Sequence, residues 1–127
     1  MNYRAIFFGI VIVMGLTFVG GFAIGLTAGK VGLTAPRTVL AAAILNFSLS
    51  VIAFCIAGVI AKSDRFNHLL VVAGVCWLLS APSMLINPVF TFDAWLFSFV
   101  VTFVAMIAGC GLSFLLVPAI KDTASPG

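Results

Sequence analysis

The sequence predicts an all-α membrane protein, a compact antiparallel bundle of four transmembrane helices. Four apolar runs without a charged side chain cover residues 5–27, 38–61, 68–86 and 94–117. Each is long enough to cross a hydrocarbon core about 30 Å thick. The chain of 127 residues is 64% hydrophobic and only 7% charged, with a mean hydropathy of +1.35. That composition leaves too little polar surface for a water-soluble monomer.

The connections between the runs are too short to hold a second domain. The longest covers residues 28–37, and the segment after residue 117 is too short for a core of its own. We therefore expect one membrane-embedded domain, residues 1–127. Short loops should make consecutive helices antiparallel.

The first run carries small residues at every fourth position. The row consists of Gly9, Val13, Thr17, Gly21, Gly25 and Gly29. Small residues at this spacing let the backbones of two membrane helices approach closely. We predict that Gly21, Gly25 and Gly29 pack against another helix, and that Gly109 does the same in the fourth run.

The second run contains Asn46, the most polar side chain far from a predicted interface. Four small residues share its face: Ala42, Ser50, Ala53 and Ala57. Because an unpaired amide is costly in hydrocarbon, Asn46 should face a partner helix, water or a cavity. The bulky residues on the other faces should contact lipid: Ile44, Phe47, Val51 and Phe54.

The third run adds two serines and a proline. Ser80 and Ser83 lie on its small-residue face and, with Asn46 and Ser50, form the candidate polar lining of a conduit. The alternative role for these residues is to join helices by hydrogen bonds. Pro82 removes one backbone hydrogen bond, which predicts a bend or kink near the end of this helix.

The distribution of basic residues predicts an orientation. With a cytoplasmic N-terminus, that side of the membrane holds four basic residues: Arg4, Lys62, Arg65 and Lys121. The other side holds Lys30 and Arg37. The excess favours cytoplasmic termini, although mixed orientation stays open. Short loops without targeting signals point to a bacterial cytoplasmic (inner) membrane.

The residues that are absent from the four runs exclude several classes of function. The acids Asp64, Asp93 and Asp122 all lie outside the runs, which argues against coupled ion transport. The sequence has no catalytic triad, paired carboxylates, metal-ligand motif or phosphate loop, so we expect no enzyme activity, cofactor or metal. A lipid-active enzyme using His68, Asp64 or Asp93 is the remaining alternative. The basic residues are scattered singly, which argues against nucleic-acid binding.

Two functional hypotheses follow from this pattern. The first is a non-catalytic interaction or accessory protein, whose small-residue faces recruit a second copy or another membrane protein. The second is an uncoupled channel or facilitator for a small neutral or anionic solute. A continuous wetted cavity past Asn46 would favour the channel, and dry packing would favour the interaction protein.

Overall fold

The computed structural model describes residues 3–31, 36–61, 64–82 and 91–117, and these are helical with short turns. Four helices follow in chain order: α1 (Tyr3–Val31), α2 (Pro36–Ala61), α3 (Arg65–Leu79) and α4 (Phe92–Leu116). The described part of the chain contains no strand. An all-helical bundle, as the sequence predicts, is therefore the architecture.

Three of the helices are long and apolar enough to cross a membrane. Their apolar stretches are Tyr3–Ile24, Leu40–Ala61 and Phe92–Leu116, close to three of the predicted spans. The helix α3 has only 15 residues, about 22 Å at 1.5 Å per residue, which is less than the hydrocarbon thickness. It begins three residues before the start of the predicted third span and ends seven residues before the end of that span. Residues 83–86 of the predicted span lie outside the described part.

Pro82 explains where α3 ends. The backbone N–H of Ser80 donates to the carbonyls of Cys76 and Trp77, both at 3.1 Å, and the N–H of Ala81 donates to Leu78. Pro82 follows in the same turn. Because proline lacks an N–H and disfavours helical backbone at the residue before it, α3 ends ahead of Pro82.

The helices alternate in direction along the chain. In the antiparallel pair of α1 and α2, Gly9 lies near Ala57 and Gly20 lies near Leu49. The helices α3 and α4 are also antiparallel, since Arg65 bonds to Val117 at one end and Trp77 to Trp95 at the other.

The packed pair of α2 and α4 instead runs parallel. Gly109 lies against Phe54, and one turn further along both helices Ser113 lies against Gly58. Consecutive helices are therefore antiparallel, whereas α2 and α4, which are not consecutive in the chain, pack in parallel.

The buried core lies at one end of the bundle. It is centred on Ile6, Ala57, Leu69 and Met106, one from each helix, and we call the bundle around these residues the packed half. Phe54 is 1% exposed there, so the expectation that it contacts lipid is wrong. Phe47 and Val51, for which lipid contact was also expected, pack against the core. Apolar side chains are equally compatible with lipid and with protein, and the absent side chain of Gly109 leaves room for Phe54.

Candidate functional site

A cavity of about 620 Å³ lies between the four helices at the other end of the bundle. We call the bundle around its lining residues Thr17, Asn46, Trp77 and Ser98 the cavity half. The remaining described lining residues are Val13, Met14, Ala43, Phe47, Ser50, Phe54, Cys76, Ser80, Ala94, Phe97, Val101, Thr102 and Ala105. Most are apolar or aromatic, and six carry a hydroxyl or an amide.

Three of the four predicted polar lining residues meet at this cavity. Asn46 and Ser50 come from α2 and Ser80 follows the end of α3. Ser83 lies outside the described residues. The spacing of four residues between Asn46 and Ser50 places both on the same side of α2, and α3 ends where Ser80 reaches the same space. The cavity also includes Thr17, which belongs to the predicted four-residue row of α1, and Ser98 and Thr102 of α4.

Three hydroxyl groups in the cavity half donate their protons to backbone carbonyls of their own helices. Thr17 Oγ1 donates to the Val13 carbonyl at 2.7 Å, and Ser50 Oγ to the Asn46 carbonyl at 2.9 Å. Ser98 Oγ donates to the Trp95 carbonyl at 2.6 Å. A hydroxyl has one proton and two lone pairs, so each of these oxygens still has lone pairs with which to accept a hydrogen bond.

A pair of tryptophans joins α3 to α4 beside the cavity. The rings of Trp77 and Trp95 stack with centroids 4.0 Å apart and an interplanar angle of 16°. Trp77 Nε1 donates to the Trp95 carbonyl at 3.1 Å, and Trp95 Nε1 donates to Ser80 Oγ at 3.2 Å. Ser80 Oγ in turn donates to the Trp77 carbonyl at 2.6 Å. Sequence reasoning missed this pair; two tryptophans on consecutive antiparallel helices were the available signal.

The predicted helix-packing glycines have different surroundings. A Cβ at Gly109 would lie 2.6 Å from Phe54 Cβ and 2.7 Å from the Val51 carbonyl oxygen, so the backbones of α2 and α4 are in close contact there. A Cβ at Gly21 would meet nothing within 4 Å, and Gly21 is exposed. Gly25 and Gly29 belong to α1, but their surroundings lie outside what the structure describes.

Helix geometry accounts for the outward position of Gly21. Each step of four residues turns about 40° around a helix of 3.6 residues per turn. From Gly9 to Gly21 the row therefore turns by about 120°. Gly9 is buried, where a Cβ would lie 3.0 Å from Val72 and 3.5 Å from Ala57, whereas Gly21 points away from the described bundle. The row therefore begins on the buried side of α1 at Gly9 and reaches its exposed side at Gly21.

The packed half ends at a buried arginine that sequence reasoning assigned to a loop. Arg65 is 3% exposed, and its Nη1 donates to the carbonyls of Ser113 at 2.8 Å and Val117 at 2.6 Å. The guanidinium also lies 5.0 Å from the ring centroid of Phe114. A cation at this position complements the negative end of the α4 dipole. Its Nε has no hydrogen-bond partner among the described residues.

The described His, Cys, Asp and Glu side chains do not form a metal site. No group of three or more His, Cys, Asp or Glu side chains among them could hold a metal ion. The cysteines Cys55, Cys76 and Cys110 are free. His68 is buried at the start of α3, where its Nδ1 lies 3.1 Å from the Asp64 carbonyl oxygen. The site is a cavity with mainly apolar walls, in which six residues add a hydroxyl or an amide.

No protein-family model, curated protein or solved structure matches this chain. The case for any function therefore comes from the chain's own residues.

Proposed function

We propose that the protein is a small, non-catalytic membrane protein that acts by helix packing, and that it associates with a second copy of itself. The observation that carries this proposal is the row of α1 that runs at four-residue spacing from the buried Gly9 to the exposed Gly21. Gly9, on the same row, packs within the chain, so the row that supports contact inside the bundle continues onto its outer surface. Close backbone approach at small residues is a principal source of helix association in lipid.

The packing of the other half also favours this proposal over a permanently open channel. Beyond the cavity, Leu69, Val72 and Met106 are each at most 1% exposed, and Arg65 at the end of this half is 3% exposed. In the packed half, a Cβ at Gly58 or Gly109 would lie less than 3 Å from a neighbouring helix. A solute that passed between α2 and α4 in this half would require these two helices to move apart.

Association is measured best in membranes, by energy transfer between copies carrying donor and acceptor fluorescent proteins. We expect transfer that saturates with acceptor density. Gly21→Leu should weaken association by about tenfold, since it separates the helices by a side chain. The matched control is Gly111→Leu, because Gly111 is also exposed with nothing within 4 Å of a Cβ. Transfer no higher than that of an unrelated membrane protein, or equal losses in both variants, would contradict the proposal.

A second candidate function is an uncoupled facilitator for a small solute. It is favoured by the cavity that Asn46, Ser50 and Ser80 share. For transport, the cavity would give the solute access from one side of the membrane. The packed half would have to open to let the solute leave on the other side. Purified protein in liposomes should then accelerate glycerol-driven swelling, and Asn46→Leu should reduce the rate without changing assembly. Liposomes as impermeable as protein-free vesicles would rule this function out.

We also propose that the protein resides in a bacterial cytoplasmic membrane with both termini in the cytoplasm. Arg4 at the start of α1 and Arg65 at the start of α3 belong to the same end of the alternating bundle. Lys62 and Lys121 are expected at that end by their positions in the chain. Basic residues in short loops favour the cytoplasmic side. Alkaline phosphatase fused after residue 127 should be inactive, and fused after residue 33 it should be active; the reverse result would contradict the orientation.

A further inference from the structure

We propose that the cavity is a binding site for a neutral amphipathic molecule that carries a hydroxyl or N–H donor on an apolar or aromatic body. This inference depends neither on self-association nor on transport. It follows from the size of the cavity, from the direction of its hydrogen bonds and from the absence of ionised groups among its described lining residues.

The size and composition of the cavity fit a small organic molecule. Its volume of about 620 Å³ falls within the range of about 300–1,000 Å³ that is usual for ligand sites. Such sites combine mainly apolar walls with a few placed polar groups. Here Phe47, Trp77 and Phe97 provide aromatic surface from three different helices. A ring or a short alkyl chain could contact all three of these rings.

The hydrogen-bonding groups favour a ligand that donates. The hydroxyl protons of Thr17, Ser50 and Ser98 are already given to backbone carbonyls, so these oxygens face a ligand as acceptors. Ser80 Oγ donates to one backbone carbonyl and accepts from Trp95 Nε1. Asn46 adds an amide, exposed in the cavity half, whose side chain makes no hydrogen bond to a described residue. Acceptors therefore outnumber free donors.

The charge of the lining favours a neutral ligand. None of the described lining residues is Asp, Glu, Lys, Arg or His. A bound cation would lack a carboxylate, and a bound anion would meet mostly acceptor oxygens. Because a charge that is removed from water without a partner is very costly, either ion should be rejected.

The two tryptophans of the chain make binding directly measurable. Trp77 lines the cavity and Trp95 stacks on the Trp77 ring. A ligand in the cavity should therefore change the fluorescence emission of both tryptophans. Three probes of nearly equal size separate the possible chemistries. The probe para-hexylphenol is neutral and donates, para-hexylanisole is its methyl ether without a donor, and para-hexylbenzoate is an anion.

We expect saturable change in tryptophan emission when para-hexylphenol is added to the protein in nanodiscs. The anisole should bind about tenfold more weakly, because it leaves acceptors unpaired, and the benzoate should not saturate. No saturation by the phenol, or tighter binding of the benzoate, would overturn the inference. Equal affinity for phenol and anisole would also overturn it, since the cavity would then be an apolar groove suited to an acyl chain.

Two serines of α2 provide matched variants. Ser48 and Ser50 each donate to the carbonyl four residues earlier, at 2.8 and 2.9 Å, but only Ser50 lines the cavity. Ser50→Ala should weaken phenol binding about threefold and Asn46→Leu about tenfold, with no change for Ser48→Ala. Equal effects of the two serine variants would contradict the site. Ser50→Ala retains the test if Asn46→Leu misfolds. Weaker phenol binding by Ser50→Ala with unchanged energy transfer would separate this site from self-association.

Discussion

In the packed half, Gly109 of α4 lies against the backbone of α2, whereas in the cavity half the same two helices present Ser98 and Asn46 to a cavity. Both halves carry small or weakly polar residues on their inward faces. The halves differ in the size of the side chains next to these small residues. In the cavity half the stacked indoles of Trp77 and Trp95 lie between α3 and α4. Small residues permit close contact between helices, but larger neighbours decide where that contact occurs.

The difference suggests a division of roles within one short chain. The packed half holds the fully buried side chains Phe54, Leu69, Val72 and Met106 and should provide most of the stability. The cavity half leaves hydroxyl and amide groups available, which costs stability but makes binding possible. Substitutions should therefore reduce the free energy of unfolding more in the packed half. Each variant below can be tested by unfolding in mixed micelles with increasing dodecyl sulfate.

The largest effect is expected for Gly109→Ala. The new methyl group would overlap Phe54 Cβ, the Val51 carbonyl oxygen and the Cys55 nitrogen. Two of these are backbone atoms, so α2 and α4 would have to separate, at a cost of about 2–3 kcal/mol in the free energy of unfolding.

The control for this variant is Gly111→Ala on the same helix, where a Cβ meets nothing within 4 Å. It should change the free energy of unfolding by less than about 0.5 kcal/mol. If the two variants were equally stable, the close contact of α2 with α4 would be disproved.

A smaller loss is expected when Arg65 is replaced. Arg65→Met would remove the hydrogen bonds to the Ser113 and Val117 carbonyls and the favourable charge at the end of α4, a loss of about 1–2 kcal/mol. Arg65→Lys keeps the charge but not the planar donor group, and should restore only part of the stability. A methionine variant as stable as the wild type would show that the buried guanidinium contributes nothing net, as can happen for buried charges.

Much of this architecture could be predicted from residue patterns, because they are local. The apolar runs gave the three long helices, and spacing of four residues put Asn46 and Ser50 on the side of α2 that lines the cavity. Ser80 was also predicted as a lining residue from its place in the third run, although the helix itself ends just before it.

The features that the sequence did not predict depend on contacts between distant residues. Hydropathy cannot separate a lipid-facing phenylalanine from a buried one, so Phe54 was misplaced. Arg65 bonds to residues 48 and 52 positions away, and no local pattern indicates that partner. The parallel pairing of α2 with α4 depends on how alternate helices meet, and loop lengths between consecutive helices do not fix this.

The tryptophan pair should contribute less than Arg65, because it links helices beside a cavity. Trp77→Phe keeps an aromatic ring against Trp95 but removes the hydrogen bond to its carbonyl. We expect a loss of about 0.5–1.5 kcal/mol in the free energy of unfolding. Leu78→Ala is a suitable control from the same helix, since Leu78 is 59% exposed. A loss as large as that of Gly109→Ala would mean that the cavity half contributes as much to stability as the packed half.

The smallest expected effects come from the same substitution made in both halves. Ser113 is 0% exposed and donates to the Cys110 carbonyl at 2.7 Å, and its Oγ would lie 2.7 Å from a Cβ at Gly58. Ser113→Ala should therefore leave a void between helices and cost about 1 kcal/mol. Ser50→Ala removes an equivalent bond beside an existing cavity and should cost less than about 0.5 kcal/mol. Since the chemical change is identical, unequal losses would reflect packing alone, whereas equal losses would remove the distinction between the halves.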